Sequence, residues 1–214
     1  MKNAVALFAK YPQPGSVKTR LAREIGNQRA ADLYAQFLKT LTLHHSHRPY
    51  DLIIAFTPPE KEKALKIRLN PDPTIVFVAQ EGENLGERME NCFRTHLKVY
   101  TKLVIIGSDM PHLTHAMVNE AFDRLDKTDI VLGPAEDGGY YLIGMKKAHS
   151  IFDRISWSRE TVLEEQLKNI KGLGLTHALL EREFDIDTLP DLHRFHNLPG
   201  RLLHQVFDEE SGKP

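Results

Sequence analysis

Cations and carboxylates are segregated along this 214-residue sequence. Near the N-terminus, Lys10, Lys18 and Arg20 share one stretch with Pro12, Pro14 and Gly15. The acids come later, in Gly107-Ser108-Asp109-Met110-Pro111, in Glu136-Asp137-Gly138-Gly139-Tyr140-Tyr141 and in Asp185-Ile186-Asp187-Thr188. Such a division suits an anionic, metal-chelated phosphate. Arginine grips phosphate with paired hydrogen bonds while lysine acts as a point charge. Mg²⁺ takes one or two carboxylates and completes its shell with substrate phosphates and water.

Each group also has a plainer reading. The Pro14-Gly15 turn, followed by a helix whose first turn carries Lys18 and Arg20, would make an anion site, or else a stiff loop with solvated cations. Arg20 has Glu24 as an alternative partner. The Lys18-Thr19 pair suggests a P-loop, but that pattern needs glycine where Val17 and Pro12 stand. Asp109, at the end of an apolar strand, would hold a hard cation or cap the next helix, for which Thr114 is already placed. Asp185 and Asp187 point to the same face of an extended segment, which calls for a shared cation or an exposed edge. Asp187-Thr188 also suits a helix cap. Asp137-Gly138-Gly139-Tyr140 joins an acid and a pliable backbone to an aromatic ring able to pack on a sugar or base, and is equally a hairpin turn.

These loops need a scaffold. Short Val-, Ile- and Phe-rich runs at 4–8, 52–56, 75–79, 103–106 and 130–132 have strand length and read as parallel strands buried on both faces. Amphipathic stretches at 17–25, 29–43, 85–99 and 117–125 alternate with them as helices. Strands at 140–145 and 175–180 and helices at 159–170 and 189–196 follow. The expectation is a three-layer α/β/α domain over residues 1–207, with a mixed, mainly parallel sheet and a disordered tail at 208–214. Ligands of such sheets bind beyond the carboxyl ends of the strands, where the charged loops would lie.

Composition narrows the function. The sequence is 41% hydrophobic and 27% charged with a formal net charge of −1, ordinary for a globular protein and short of the basic field that nucleic acid demands. The apolar run at the N-terminus is too short to span a membrane and reads as the first strand. Cys92 is the only cysteine, which excludes an internal disulfide and points to a cytoplasmic protein. His44, His45 and His47 close a helix without zinc-type spacing around them.

Taken in order, the blocks Ala9-Lys10-Tyr11-Pro12, Pro14-Gly15, Lys18-Thr19-Arg20-Leu21, Gly82 with Leu85-Gly86-Glu87-Arg88-Met89, Gly107-Ser108-Asp109, Gly133-Pro134, Asp137-Gly138-Gly139-Tyr140-Tyr141-Leu142 and Asp185-Ile186-Asp187-Thr188 resemble the nucleotide-diphospho-sugar transferase superfamily. They are most similar to bacterial GT-A-like glycosyltransferases of the arsenosugar-biosynthesis type. The resemblance implies a Rossmann-like GT-A fold. It also implies that Lys10, Pro14, Gly15, Lys18, Arg20, Gly82, Gly86, Arg88 and Ser108 bind the nucleotide. Asp109 matches the aspartate of the metal-binding DxD-type motif and Asp187 a second ligand, for Mg²⁺ or Mn²⁺. Gly107 departs from the pattern by standing where many relatives carry another acid.

The expected activity is metal-dependent glycosyl transfer from a nucleotide-diphosphate sugar to a small-molecule acceptor. Lys18 and the metal would stabilise the leaving diphosphate, Asp137 would serve as base, and Gly138, Gly139 and Tyr140 would face the sugar or acceptor. A nucleotidyltransferase releasing pyrophosphate and a non-catalytic nucleotide-binding protein are the alternatives. Against the former, the first loop has a lone glycine where nucleotidyltransferases have Gly-x-Gly.

Overall fold

A computed structural model describes residues 2–196. The expected tail at 208–214, and the end of the expected domain from 197 to 207, lie outside the described residues. Seven strands form one sheet in the order β3-β2-β1-β4-β6-β5-β7. They are β1 (Asn3–Lys10), β2 (Tyr50–Thr57), β3 (Val76–Ala79), β4 (Leu103–Ile106), β5 (Ile130–Pro134), β6 (Tyr140–Met145) and β7 (His177–Leu179). β1 pairs in parallel with β2 and β4, and β2 with β3. β6 enters antiparallel to both β4 and β5, and β7 joins β5 in parallel. The sheet is therefore mixed and mostly parallel, as the sequence leads one to expect.

The unbroken apolar runs are explained by burial on two faces. In β1, Val5, Leu7 and Ala9 enter one core cluster while Ala4, Ala6 and Phe8 enter the other. β2 divides likewise into Leu52, Ile54, Phe56 and Ile53, Ala55. The first cluster is covered by α1 (Thr19–Ile25), α2 (Asn27–His45), α3 (Glu62–Leu69), α5 (His115–Leu125) and α7 (Leu189–His196). The second is covered by α4 (Leu85–His96) and α6 (Val162–Gly172). This is the three-layer α/β/α arrangement. α3 is an element that the sequence reading does not contain. It is two turns long, only Leu65 and Leu69 are buried, and Ile67 is 81% exposed. So short a helix has almost no apolar period to read.

Asn84 and Thr114 cap α4 and α5, accepting from the backbone N–H of Glu87 at 3.0 Å and of Met117 at 3.4 Å. Among the described residues no helix is long and apolar enough to cross a membrane.

Candidate functional site

The order of the sheet marks where a ligand belongs. β1 leads outward to β2 and β3 on one side, and the chain then returns to lay β4 on the other side of β1. The carboxyl ends of these neighbouring parallel strands open a crevice at the reversal. The loops after β1 and after β4 both end there, which brings Lys18 to Asp109.

Lys18 caps the start of α1 in a left-handed conformation, φ 47 and ψ 43, which is uncommon for a residue with a side chain. Its side chain is 2% exposed. The ammonium Nζ lies 2.5 Å from Asp109 Oδ1 and 3.1 Å from Asp187 Oδ1, and donates to the Ile186 carbonyl at 2.7 Å. The Phe37 ring lies beneath it, with its centroid at 5.7 Å. Burial opposes the Lys18 charge, but the Asp109 and Asp187 carboxylates outweigh it and hold its pKa above the ordinary lysine value. Arg20 reaches Asp187 from the solvent side at 3.8 Å.

Both carboxylates are free for this role because other groups cap the helices. Thr114 serves α5. At the start of α7, Thr188 and Asp191 form a reciprocal capping box, with the Thr188 N–H and hydroxyl donating to Asp191 Oδ2 at 2.8 and 2.6 Å. The segment before α7 is aligned by backbone bonds from Ile186 N to Asp109 O and from Glu183 N to Pro134 O. Phe184 and Ile186 are buried in the core, so Asp185 and Asp187 turn together toward the crevice.

Asp185, which the sequence offers beside Asp187 for a shared cation or an exposed edge but which the resemblance does not name, joins this group of acids. Desolvation, and then the negative charges of Asp109 and Asp137, push its pKa up to about 7. Its spacing from Asp187 was the available signal, but only the fold brings Asp109 and Asp137 near it. Tyr34 of α2 is absent from the sequence reading. Its hydroxyl meets Ser108 Oγ at 2.8 Å and accepts from the Lys10 N–H at 3.1 Å, tying the ends of β1 and β4 together. Burial, and then Asp109, raise its pKa. Ser108 is thus engaged inside the protein, and the Lys10 side chain is exposed at the strand end. Pro14 and Gly15 form an exposed turn, with Gly15 at φ 80.

Several glycines of the expected site serve packing. A Cβ on Gly86 would come 2.8 Å from the Trp157 ring, and one on Gly138 would collide with the Glu160 carbonyl oxygen. Both positions let the segment between β6 and α6 lie against the sheet's C-terminal end. Gly82, at φ 135, curls onto the first turn of α4, and its carbonyl accepts from Arg88 Nε at 2.9 Å. Gly139 N–H donates to Asp137 Oδ1 at 2.9 Å, fixing the turn between β5 and β6. The Tyr140 hydroxyl donates to Gln166 Oε1 at 3.1 Å, and burial raises its pKa.

A cavity of about 380 Å³ lies between α4 and the β1-β2-β3 half of the sheet, lined among others by Phe8, Gln80, Glu81, Arg88 and Cys92. Burial pushes the Cys92 thiol up to about 12, which favours its protonated form.

Among the described residues no three His, Cys, Asp or Glu side chains are gathered as a metal site. Two carboxylates nonetheless converge on one cationic atom, Lys18 Nζ. That donor chemistry fits a hard divalent ion completed by phosphate oxygens, with Asp109 and Asp187 as its protein ligands.

Residues 40–159 match the family described as an uncharacterized protein conserved in bacteria, DUF2064. No curated protein matches the sequence. Among solved structures, the chain is similar to a "putative nucleotide-diphospho-sugar transferase" from Desulfovibrio desulfuricans G20. The two share 34% identity with a TM-score of 0.86, over 92% of this chain and 87% of that one. At 10% identity and a TM-score of 0.59 it shares its fold with the 4-diphosphocytidyl-2C-methyl-D-erythritol synthase of Anaerococcus prevotii, over 90% and 94% of the chains. At 15% identity and a TM-score of 0.51 it shares it with Rv0371c of Mycobacterium tuberculosis, a structure solved in complex with manganese, over 92% and 100%. The fold is that of the nucleotide-diphospho-sugar transferases. The arsenosugar type has no counterpart among these matches.

Proposed function

The chain belongs to the bacterial DUF2064 family, and we propose that it is a divalent-metal-dependent glycosyltransferase using a nucleotide-diphosphate sugar. The observation that carries the reading is the convergence of Asp109 and Asp187 on one cationic centre at the β1/β4 switch point. The 34% identity to the Desulfovibrio protein supports the donor class.

In this reading Asp109 and Asp187 would hold Mg²⁺ or Mn²⁺, which would supply charge neutralisation for the leaving diphosphate. Lys18 and Arg20 supply the remaining positive charge, already oriented before reaction, which is electrostatic preorganisation. The Lys10 to Gly15 loop and the Gly82 to Arg88 segment flank the nucleotide, with the cavity beside Gln80 and Arg88 available to its base. The bond from the sugar's anomeric carbon to the diphosphate breaks, and the acceptor oxygen bonds to that carbon. The hydroxyl proton passes to Asp137, beside which Gly138, Gly139 and Tyr140 build the acceptor side. The acceptor is a small molecule.

The test is a panel of nucleotide-sugars and nucleoside triphosphates scored for thermal stabilisation with and without Mn²⁺, followed by assay of the released group. A donor at 100 times its Kd adds about 2.7 kcal/mol to folding stability. Metal-dependent stabilisation by a nucleotide-sugar, with nucleoside diphosphate released, is expected. Release of pyrophosphate from a triphosphate would replace glycosyl transfer by nucleotidyl transfer.

A further inference from the structure

Lys18 holds the centre between the two carboxylates that the proposed function gives to a metal. Its ammonium touches Asp109 Oδ1, Asp187 Oδ1 and the Ile186 carbonyl within 3.1 Å, so the converging oxygens are already spent on a cation. We propose that Lys18 is a resident counter-ion that closes the Asp109/Asp187 pair to a bare divalent cation, and that the site opens only to the metal chelate of a nucleoside diphosphate. The inference rests on the transferase reading for its ligand, but the exclusion itself concerns the protein alone.

Two observations and the repulsion of like charges support it. The side chain is buried at 2% exposure, whereas those of Asp109 and Asp187 are 47% and 37% exposed. The carboxylates thus face the crevice while the lysine fills the space behind them. A doubly charged ion at the same oxygens would meet the ammonium at close range, and like charges at that separation repel strongly in a partly dry site. Asp109 and Asp187 hold Lys18 by direct contact, with Asp185 near enough to feel its charge, so the lysine stays until something anionic takes over those contacts. A diphosphate offers such oxygens, and its own chelated metal then meets two carboxylates released from the lysine. The same exchange ties lysine to phosphate and carboxylate to metal in one event. Reciprocity follows: metal tightens nucleotide binding by the factor by which nucleotide tightens metal binding.

The experiment is an Mn²⁺ titration of the nucleotide-free full chain, following the free-ion electron paramagnetic resonance signal at neutral pH, for the wild type and for Lys18→Met. Methionine keeps the volume and removes the charge. The expected result is weak binding by the wild type and at least tenfold tighter binding by the variant. Equal affinity, or weaker binding by the variant, overturns the exclusion. Where Lys18→Met does not fold, Lys18→Gln carries the same comparison and keeps a donor for the Ile186 carbonyl. Nucleoside diphosphate added to the wild type should tighten Mn²⁺ binding. Absence of that synergy beside an intact gain in Lys18→Met counts against the nucleotide reading and leaves the exclusion standing.

Discussion

Two buried polar side chains are treated in opposite ways. At the C-terminal end of α2, where the chain turns into β2, His45 is fully buried with Nδ1 2.8 Å from the Tyr50 hydroxyl and Nε2 3.2 Å from the Leu113 carbonyl. Desolvation, and then the neighbouring His44, lower its pKa to about 3, so it is neutral. In the β1/β4 crevice Lys18 is as deeply buried but stays charged, because two carboxylates surround it. Burial by itself removes charge; keeping one takes a concentration of opposite charge. Burial raises the pKa of Asp185, and the neighbouring Asp109 and Asp137 carboxylates raise it further by repulsion. His45 is neutral with both ring nitrogens hydrogen-bonded, whereas the crevice keeps repelling carboxylates together at a cost to stability.

The comparison breaks most sharply at Asp109. Asp109→Asn should abolish metal-dependent nucleotide binding, a loss of a hundredfold or more by titration calorimetry on the order of a lost charged pair. The fold should be kept, since Thr114 caps α5. A protein that no longer folds would make Asp109 a structural residue like His45.

Lys18→Ala should weaken nucleoside diphosphate roughly ten- to a hundredfold while changing nucleoside binding little. Equal weakening of both ligands would mean that the loop acts through packing.

His45→Ala should have the reverse profile: about 2 kcal/mol of stability lost in urea unfolding, with nucleotide binding unchanged. In the wild type, the unfolded chain takes up a proton at this histidine below about pH 6.5 that the folded one refuses until about pH 3. Its stabilising contribution is therefore complete above pH 6.5 and falls on acidification, by at most about 1.4 kcal/mol per pH unit. A chain with His45→Gln should lose less between pH 7 and 4.

Asp185→Asn should stabilise the nucleotide-free protein by about 1 kcal/mol at pH 8, or roughly 2–4 °C in Tm. The folded state holds a proton up to about pH 7 that the unfolded chain releases at an ordinary carboxylate value. The cost of the carboxylate thus sets in as pH rises between those values, and the gain on substitution should vanish near pH 4. A destabilised variant would mean that Asp185 is held by bonds that outweigh the repulsion. The smallest effect is expected at Arg20, 68% exposed and 3.8 Å from Asp187, where alanine should weaken diphosphate binding about two- to threefold.

Much of this protein is legible in its residues. Alternating apolar runs and helical stripes disclose the α/β fold, because both periods are local. Thr114 and Thr188 can be read as caps for the same reason, whereas the role of Asp191 beside Thr188 comes from the structure. The carboxylates are visible as types and loop positions, although the sequence leaves helix capping open for Asp109 and Asp187. The tertiary structure decided what these groups touch. Lys18 meets Asp187 across a separation of 169 residues, and no spacing rule reaches that far. Gly86 and Gly138 suggest backbone left bare for a ligand, yet their missing side chains make room for Trp157 and Glu160. A glycine shows that something comes close; which partner comes close depends on how the whole chain packs. Likewise the insertion of β6 between β4 and β5, antiparallel to both, follows from hydrogen bonding between strands distant in sequence. Local sequence fixes residue types and periods, while the pairing of charges across the β1/β4 crevice is settled only when the sheet closes the distance between them.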